Sequence, residues 1–398
     1  MVLKFLMKYA ERGDTELKQL RILVFSAGFG NGHFRAAEAV IEGIRIKEPY
    51  AEINHLDFGD FLSKRLNTMA KRLYMEMIKH TPRLWGKFYY KTAKLQPKSI
   101  MQRFLNQLGR SDFLNYIKGF EPDLIVCTFP TISSILAQLR LERILLVPVI
   151  TVITDYAVHS LWVHPGVDRY MVACEEVKES LVSWGIEAQS VRVTGIPVSP
   201  KFERVKDRGH ILLKLGLSPD LPTFLVMGGV YEGEIVKRIC KRLADSKVPI
   251  QSLIVCGKNE KLYHSLEDLS AQTPNLIVRF GYVDNVEELM EVSNLIITKA
   301  GGLTVTEALT KHLPLCIFKP IPGQEVENAL FVQRKGAGLF AGTEEELEQL
   351  LDRLLSYPED IERMQEKATF ALPGRSAERT VDELLQLVSH LRMKQKTG

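Results

Sequence analysis

The sequence predicts an α/β protein built of two doubly wound, Rossmann-like domains, and three observations carry that reading. The chain has 398 residues, more than one ordinary core organises and enough for two domains of roughly 150–200 residues each. Short β-branched runs alternate with amphipathic helical stretches, the pattern of buried parallel strands joined by crossover helices. The alternation pauses at a Pro/Lys-rich stretch near 197–210 and then starts again. The boundary is predicted there, with residues 1–198 in the first domain and 199–398 in the second.

In the first half, strands are expected in RILVFS (21–26), AEINHLDF (51–58), DLIVCTF (123–129), LVPVITVIT (146–154), RYMVAC (169–174) and VRVTG (191–195). Helices are expected in FRAAEAVIEGIRIK (34–47) and EEVKESLVSWG (175–185), where apolar residues recur every three or four positions. The second half repeats the pattern with TFLVMGG (223–229), QSLIVCG (251–257), NLIVRFG (275–281), NLIITKAGG (294–302) and LPLCIFK (313–319). The final amphipathic stretch, about 376–394, predicts a helix that can pack back across either domain, the first included. In open parallel sheets ligands sit beyond the carboxyl ends of the strands, so the residues just after each strand are the candidates for function.

With 45% apolar and 25% charged residues, the chain is that of a folded protein rather than a disordered one. The five cysteines, Cys127, Cys174, Cys240, Cys256 and Cys316, form no CxxC pair. They are expected as buried free thiols of a reducing cytosol, and no zinc site is predicted. The longest apolar run, ILLVPVITVIT, falls far short of the roughly 18 residues of a membrane span, and the first residues carry no secretory signal. Net charge is only +4, yet residues 61–111 hold twelve Lys/Arg against one acid, Glu76. Trp85, Phe88, Tyr89 and Tyr90 are interleaved with those cations, a mixture that suits an anionic bilayer surface or single-stranded nucleic acid.

The first strand runs into SAGFGNGHFRAAEAV, where Gly28, Gly30 and Gly32 precede His33 at the start of a helix. A dinucleotide fingerprint needs a third glycine where His33 stands, so a nicotinamide site is not favoured. Bare backbone there lets a substrate approach closely, and a histidine on that rim can accept a proton from an incoming hydroxyl; the alternative is a capping or packing histidine. Past the fourth strand lie Asp155, His159, Trp162, His164 and Asp168. Their spacing lacks the i, i+4 histidine pair of a helical metal site, which favours an acceptor pocket made by Asp155 and His159, with Asp168 capping the next strand.

In the second half Gly228, Gly229 and Gly233 lead a helix whose N-terminus suits a diphosphate. A richer cluster follows: Lys299, Gly301, Gly302, Thr304 and Glu307, then Gln324, Glu325 and Asn328 one strand later. These polar side chains suit a polyhydroxylated ligand, and the acid suits the paired hydroxyls of a ribose.

From about residue 20 to 375 the sequence resembles the diacylglycerol glycosyltransferases, the family of bacterial processive diacylglycerol β-glucosyltransferases and plant monogalactosyldiacylglycerol synthases. The resemblance rests on SAGFGNGHFRAAEAV, RLWGKFYYKTAK, ITDYAVHSLWVHPGVDRYMVA, VTGIPVSPKF, GYVDNVEELMEVSNLIITKAGGLTVTEAL and PIPGQEVENA. It implies a GT-B fold, two Rossmann-like domains facing a cleft, with the acceptor on the first domain and a UDP-sugar on the second. By that resemblance His33 or Asp155 is the catalytic base, Gly30, Gly32, His159 and Trp162 line the acceptor side, and Gly301, Gly302, Thr304 and Glu307 hold the nucleotide. Gln324 and Glu325 read the sugar hydroxyls with Asn328 nearby, while Gly228, Gly229, Gly233 and Lys299 serve the diphosphate. The family's diphosphate turn usually continues Gly-Gly-Ser; here Val230 and Tyr231 follow Gly229.

The implied reaction moves a hexose, glucose or galactose, from a UDP-sugar to the 3-hydroxyl of diacylglycerol with inversion. No cofactor or metal is expected beyond the donor substrate. Arg83, Trp85, Lys87, Phe88, Tyr89, Tyr90, Lys91 and Lys94 are expected to dock the protein peripherally on the cytoplasmic face of the cell membrane, and no nucleic-acid partner is expected. Two other readings share these residues: another enzyme of the same fold, such as a transferase with a different lipid acceptor or a nucleotide-sugar epimerase, and a non-catalytic nucleotide-sugar-binding regulator.

Overall fold

The computed structural model describes residues 19–28, 31–61, 68–69, 72, 76–77, 80–93, 110–228, 233–271 and 273–397. Two parallel six-stranded sheets organise them. The first contains β1 (Arg21–Ser26), β2 (Glu52–Asp57), β3 (Leu124–Cys127), β4 (Val149–Val152), β5 (Arg169–Val172) and β6 (Val191–Val193). The second contains β7 (Thr223–Met227), β8 (Gln251–Val255), β9 (Leu276–Phe280), β10 (Leu295–Thr298), β11 (Leu315–Phe318) and β12 (Gly338–Ala341).

The helices of the first half are α1 (Asn31–Lys47), α2 (Pro82–Ala93), α3 (Arg110–Phe120), α4 (Pro130–Leu141) and α5 (Glu175–Ser183). Those that follow are α6 (Arg208–Leu215), α7 (Gly233–Ala244), α8 (Glu260–Ser265), α9 (Glu267–Ala271), α10 (Val286–Val292), α11 (Gly302–Thr310), α12 (Gln324–Arg334), α13 (Glu344–Ser356), α14 (Pro358–Thr369) and α15 (Ser376–Thr397). All eleven strands expected from the sequence are present. The twelfth, β12, adds a strand where none was expected.

Strand order is β2-β1-β3-β4-β5-β6 in the first sheet and β12-β11-β10-β7-β8-β9 in the second. The order reverses direction beside β1 and β3 in one sheet and beside β7 and β10 in the other. Such switch points leave a crevice past the strand ends. The turn carrying His33 follows β1, the Gly228 turn follows β7, and Lys299 to Gly302 follow β10, so the glycine-rich turns lie at the two crevices.

The central strands are buried on both faces. Ile22, Leu23, Val24 and Phe25 of β1 are wholly inaccessible, as are Leu124, Ile125 and Val126 of β3. The five cysteines are free and buried, and burial pushes their thiols up.

Past β6 the chain crosses to the second sheet, and α15 brings it back. Val381, Leu384 and Val388 of α15 join Ala37, Val40, Ile41 and Ile44 of α1 in one apolar cluster over the first sheet. Glu383 adds ion pairs with Arg169 at 2.8 Å and Arg192 at 3.0 Å. The two crossings touch: the Val198 amide donates to Ser376 Oγ at 3.2 Å, and the Ser376 amide donates to Glu203 Oε1 at 3.0 Å.

Candidate active site between the two sheets

His33 stands in the first turn of α1. Its carbonyl accepts a hydrogen bond from Thr128 Oγ1 at 2.8 Å, and its Nδ1 pairs with Thr154 Oγ1 at 3.0 Å. The ring meets Phe129 edge-on at 5.2 Å, with Trp162 6.1 Å away. Burial lowers its pKa to about 4, with a hydrogen bond to the Thr128 main chain opposing, so the imidazole is neutral near pH 7 and has a lone pair to offer. A side chain at Gly32 would meet no atom within 4 Å, so there is open space beside the histidine. Gly30 lies outside the described residues.

Asp155 directly follows Thr154, the hydrogen-bond partner of His33. Burial raises its carboxyl to about 6; the Asn328 amide, donating to Oδ1 at 3.2 Å, opposes this, and the charge of Glu325 adds to it. His159 proves to be a structural side chain. Its Nδ1 accepts from the Leu161 amide at 3.1 Å and its Nε2 pairs with Thr92 Oγ1 at 3.1 Å, so both nitrogens are spent within the protein rather than on an acceptor. Trp162 is 3% exposed and forms core behind His33 instead of an accessible wall. His164, bonded through Nε2 to the Leu161 carbonyl at 2.7 Å, is structural as well. Asp168 caps the Val149 amide at 2.7 Å.

The second sheet contributes its side of the cleft from α11 and α12. Gly301 caps α11 without a side-chain bond. At Gly302 a Cβ would lie 2.1 Å from the Thr154 carbonyl oxygen, so the first sheet's loop rests directly on that helix start. Lys299 Nζ lies 3.5 Å from Glu325 Oε2, which also accepts from the Ile321 amide at 2.8 Å. Gln324 Oε1 is buried with no hydrogen-bond partner among the described residues. An orphaned acceptor beside this cluster is what a ligand hydroxyl would satisfy.

Thr304 is half-buried on α11. Glu307, one turn further along, has its carboxyl pushed up to about 7 by burial; Arg35 and Lys201 pull it down and Glu287 pushes it up. Arg35 escaped the sequence reading. It comes from α1, donates to the Tyr282 hydroxyl at 3.0 Å across the cleft, and thereby brings a cation towards Glu307. The available signal was a cation two residues past His33, near the start of the same helix.

One expected donor contact is corrected. Asn328 is fully buried, and its amide is used up on Tyr156 N–H at 2.8 Å, the Ala300 carbonyl at 3.0 Å and Asp155, leaving nothing for a sugar. Gly228 is small for packing: a Cβ there would meet Val236 Cγ2 at 2.3 Å. Gly233 begins α7, and Gly229, Val230 and Tyr231 lie outside the described residues.

Helix α2 splits the expected membrane residues between two faces. Arg83, Leu84, Lys87, Phe88 and Lys91 are exposed along one stripe, and Trp85 is half-buried, its ring 5.9 Å from Phe88. Tyr89 turns inward, against His159 at 4.8 Å, where a Cβ on Gly323 would be 2.8 Å from its ring. Gly323 has φ 107°, a backbone that favours glycine as much as the ring above it does. Tyr90 donates to Glu327 Oε1 at 3.0 Å. These two tyrosines thus meet the start of α12, Tyr89 at Gly323 and Tyr90 at Glu327. Lys94 lies outside the described residues.

Among the described residues no three His, Cys, Asp or Glu side chains come together as a metal ion would require, and no helix is long and apolar enough to cross a membrane.

Residues 33–198 match the monogalactosyldiacylglycerol (MGDG) synthase family model, and residues 223–384 match the glycosyltransferase family 28 C-terminal domain. The processive diacylglycerol β-glucosyltransferase of Bacillus licheniformis is 31% identical over 386 residues, covering 94% of this chain and 97% of the relative. The enzyme of the same name from Bacillus subtilis is 31% identical with the same coverage. Among solved structures, MurG of Acinetobacter baumannii shares the fold at a TM-score of 0.63 with 17% identity, over 92% of this chain and 100% of that one. The fold is thus GT-B, and the chain belongs to the family of the processive diacylglycerol β-glucosyltransferases.

Proposed function

We infer that this protein moves glucose from UDP-glucose to the 3-hydroxyl of diacylglycerol, with inversion, while docked on the anionic cytoplasmic face of a membrane. The observation that carries the reading is the meeting of a neutral His33 and the Asp155 carboxylate on one side of the cleft with Gln324, Glu325, Lys299 and Glu307 on the other. The relatives' names supply the substrate class, diacylglycerol and a glucosyl group.

The lipid hydroxyl oxygen attacks the anomeric carbon as the bond to the UDP oxygen breaks. The hydroxyl proton passes to the basic side of the site, where His33 receives it, its ring held by Thr154, the residue before Asp155. UDP leaves as an anion towards the N-terminus of α11 and Lys299, with Glu307 holding the ribose, and no metal is called for. Gln324 Oε1 accepts from a sugar hydroxyl, which ends its isolation. The exposed stripe of α2 meets the bilayer with Lys87, Arg83 and Lys91 at the headgroups and Leu84 and Phe88 below them.

Incubation of the protein with diacylglycerol-containing vesicles and either UDP-glucose or UDP-galactose, followed by identification of the lipids, tests the reading. A β-glucosyldiacylglycerol is expected. A galactolipid alone overturns the choice of sugar, and UDP release without a glycolipid overturns the acceptor. A folded His33→Ala protein with normal turnover removes His33 from the mechanism.

A further inference from the structure

Asp155 belongs to the loop after β4, yet the second sheet's helices hold that loop in place. The Tyr156 main-chain N–H donates to Asn328 Oδ1 at 2.8 Å, and its hydroxyl pairs with Thr306 Oγ1 at 2.8 Å. Its ring stacks on Phe331 at 4.0 Å. The orientation of the Asn328 amide is fixed by its surroundings: the oxygen faces a donor, and the nitrogen faces two acceptors, the Ala300 carbonyl and Asp155 Oδ1. Asn328 also lies one helical turn from Gln324, so the same face of α12 carries the orphaned sugar-side acceptor and the partner of the acid.

We propose that Asn328 is a positioning residue for the transfer: from α12 it holds the Asp155 carboxylate across the cleft, so that the acid keeps its working place only while the two domains are in contact. This rests on the hexosyl-transfer reading above. The donated N–H favours the ionised carboxylate. Among the described residues, the other titratable groups facing Asp155 are Glu325 of α12, which opposes ionisation, and Tyr89 of α2, whose own ionisation Asp155 opposes. Lys299 after β10 reaches the same cluster through Glu325.

Asn328→Asp is the decisive variant. It preserves size and an acceptor for the Tyr156 amide but replaces the donor to Asp155 by a second carboxylate; Asn328→Ala removes both bonds. With diacylglycerol vesicles and saturating UDP-glucose, kcat of each is expected to fall ~10- to 100-fold while KM for UDP-glucose stays within about 3-fold. The acid limb of the kcat profile is expected to move up by about one pH unit. Thermal unfolding of both variants accompanies the assay. A lower kcat with an unmoved acid limb in Asn328→Asp would reduce the residue to a structural one. A loss confined to KM would make it a direct donor ligand. A wild-type protein that forms no glycolipid removes the transfer reading itself, an outcome distinct from either.

Discussion

The ring of Tyr156 lies nearly parallel on that of Phe331, with centroids 4.0 Å apart and planes 19° apart, although one belongs to a first-sheet loop and the other to α12. An aromatic side chain at 3% exposure thus pins one half of the molecule to the other. Tyr156→Phe keeps the stack and loses only the bond to Thr306, which still donates to the Gly302 carbonyl; a cost of about 1 kcal/mol is expected. Tyr156→Ala is expected to cost about 3–5 kcal/mol. Urea denaturation of the two variants beside wild type measures both.

Asp155 opposes stability at neutral pH. Burial lifts its carboxyl to about 6, so between roughly pH 4 and 6 the folded protein holds a proton that the unfolded chain has released, and above pH 6 the folded state bears the cost of ionising it. Asp155→Asn is therefore expected to gain ~1–3 kcal/mol at pH 7, a gain that disappears as pH falls to about 4. Turnover should drop ~100-fold or more. Denaturation at the two pH values, with activity at pH 7, tests the trade.

Gly302 has no room for a methyl group. With a Cβ placed 2.1 Å from the Thr154 carbonyl oxygen, Gly302→Ala is expected to hold the halves apart and to lower kcat/KM at least ~10-fold. Small-angle scattering should report a more open particle and circular dichroism an unchanged helix content; a closed particle at full activity would contradict the contact.

The outer stripe of α2 predicts salt-sensitive docking. Reversing Lys87 and Lys91 together to Glu is expected to weaken sedimentation with anionic vesicles by more than ~10-fold, since each basic residue near such a surface contributes about 1 kcal/mol. Binding of UDP-glucose in solution should be unaffected, because both side chains point away from the cleft.

Much of this architecture is legible in the sequence because strands buried along their length, such as β3, β4, β10 and β11, read as short continuous apolar runs, while the half-buried edge strand β2 shows itself by alternation instead. β12 does neither. It has four residues and opens on Gly338, where a Cβ would meet the Leu315 carbonyl at 2.3 Å, so close approach replaces side-chain burial as the reason for the strand. His33 and Asp155 stand out as polar groups at strand ends. The duties of Asn328, His159 and Tyr89 do not, since each depends on which loop of the other half comes to face it, and that is a property of domain placement rather than of local pattern. Gln324 is readable as a polar residue at a helix start, but its lack of a partner emerges only from the assembled cleft.

The seat of α15 on α1 also bears on how the molecule is made. The helix that covers Val40, Ile41 and Ile44 is synthesised some three hundred positions after them. Until it arrives, the first half carries an uncovered greasy stripe, and a fragment ending at residue 198 would carry it permanently. Completion of the first half is thus tied to completion of the second, so that neither a truncated product nor a separately expressed front portion is a finished folding unit.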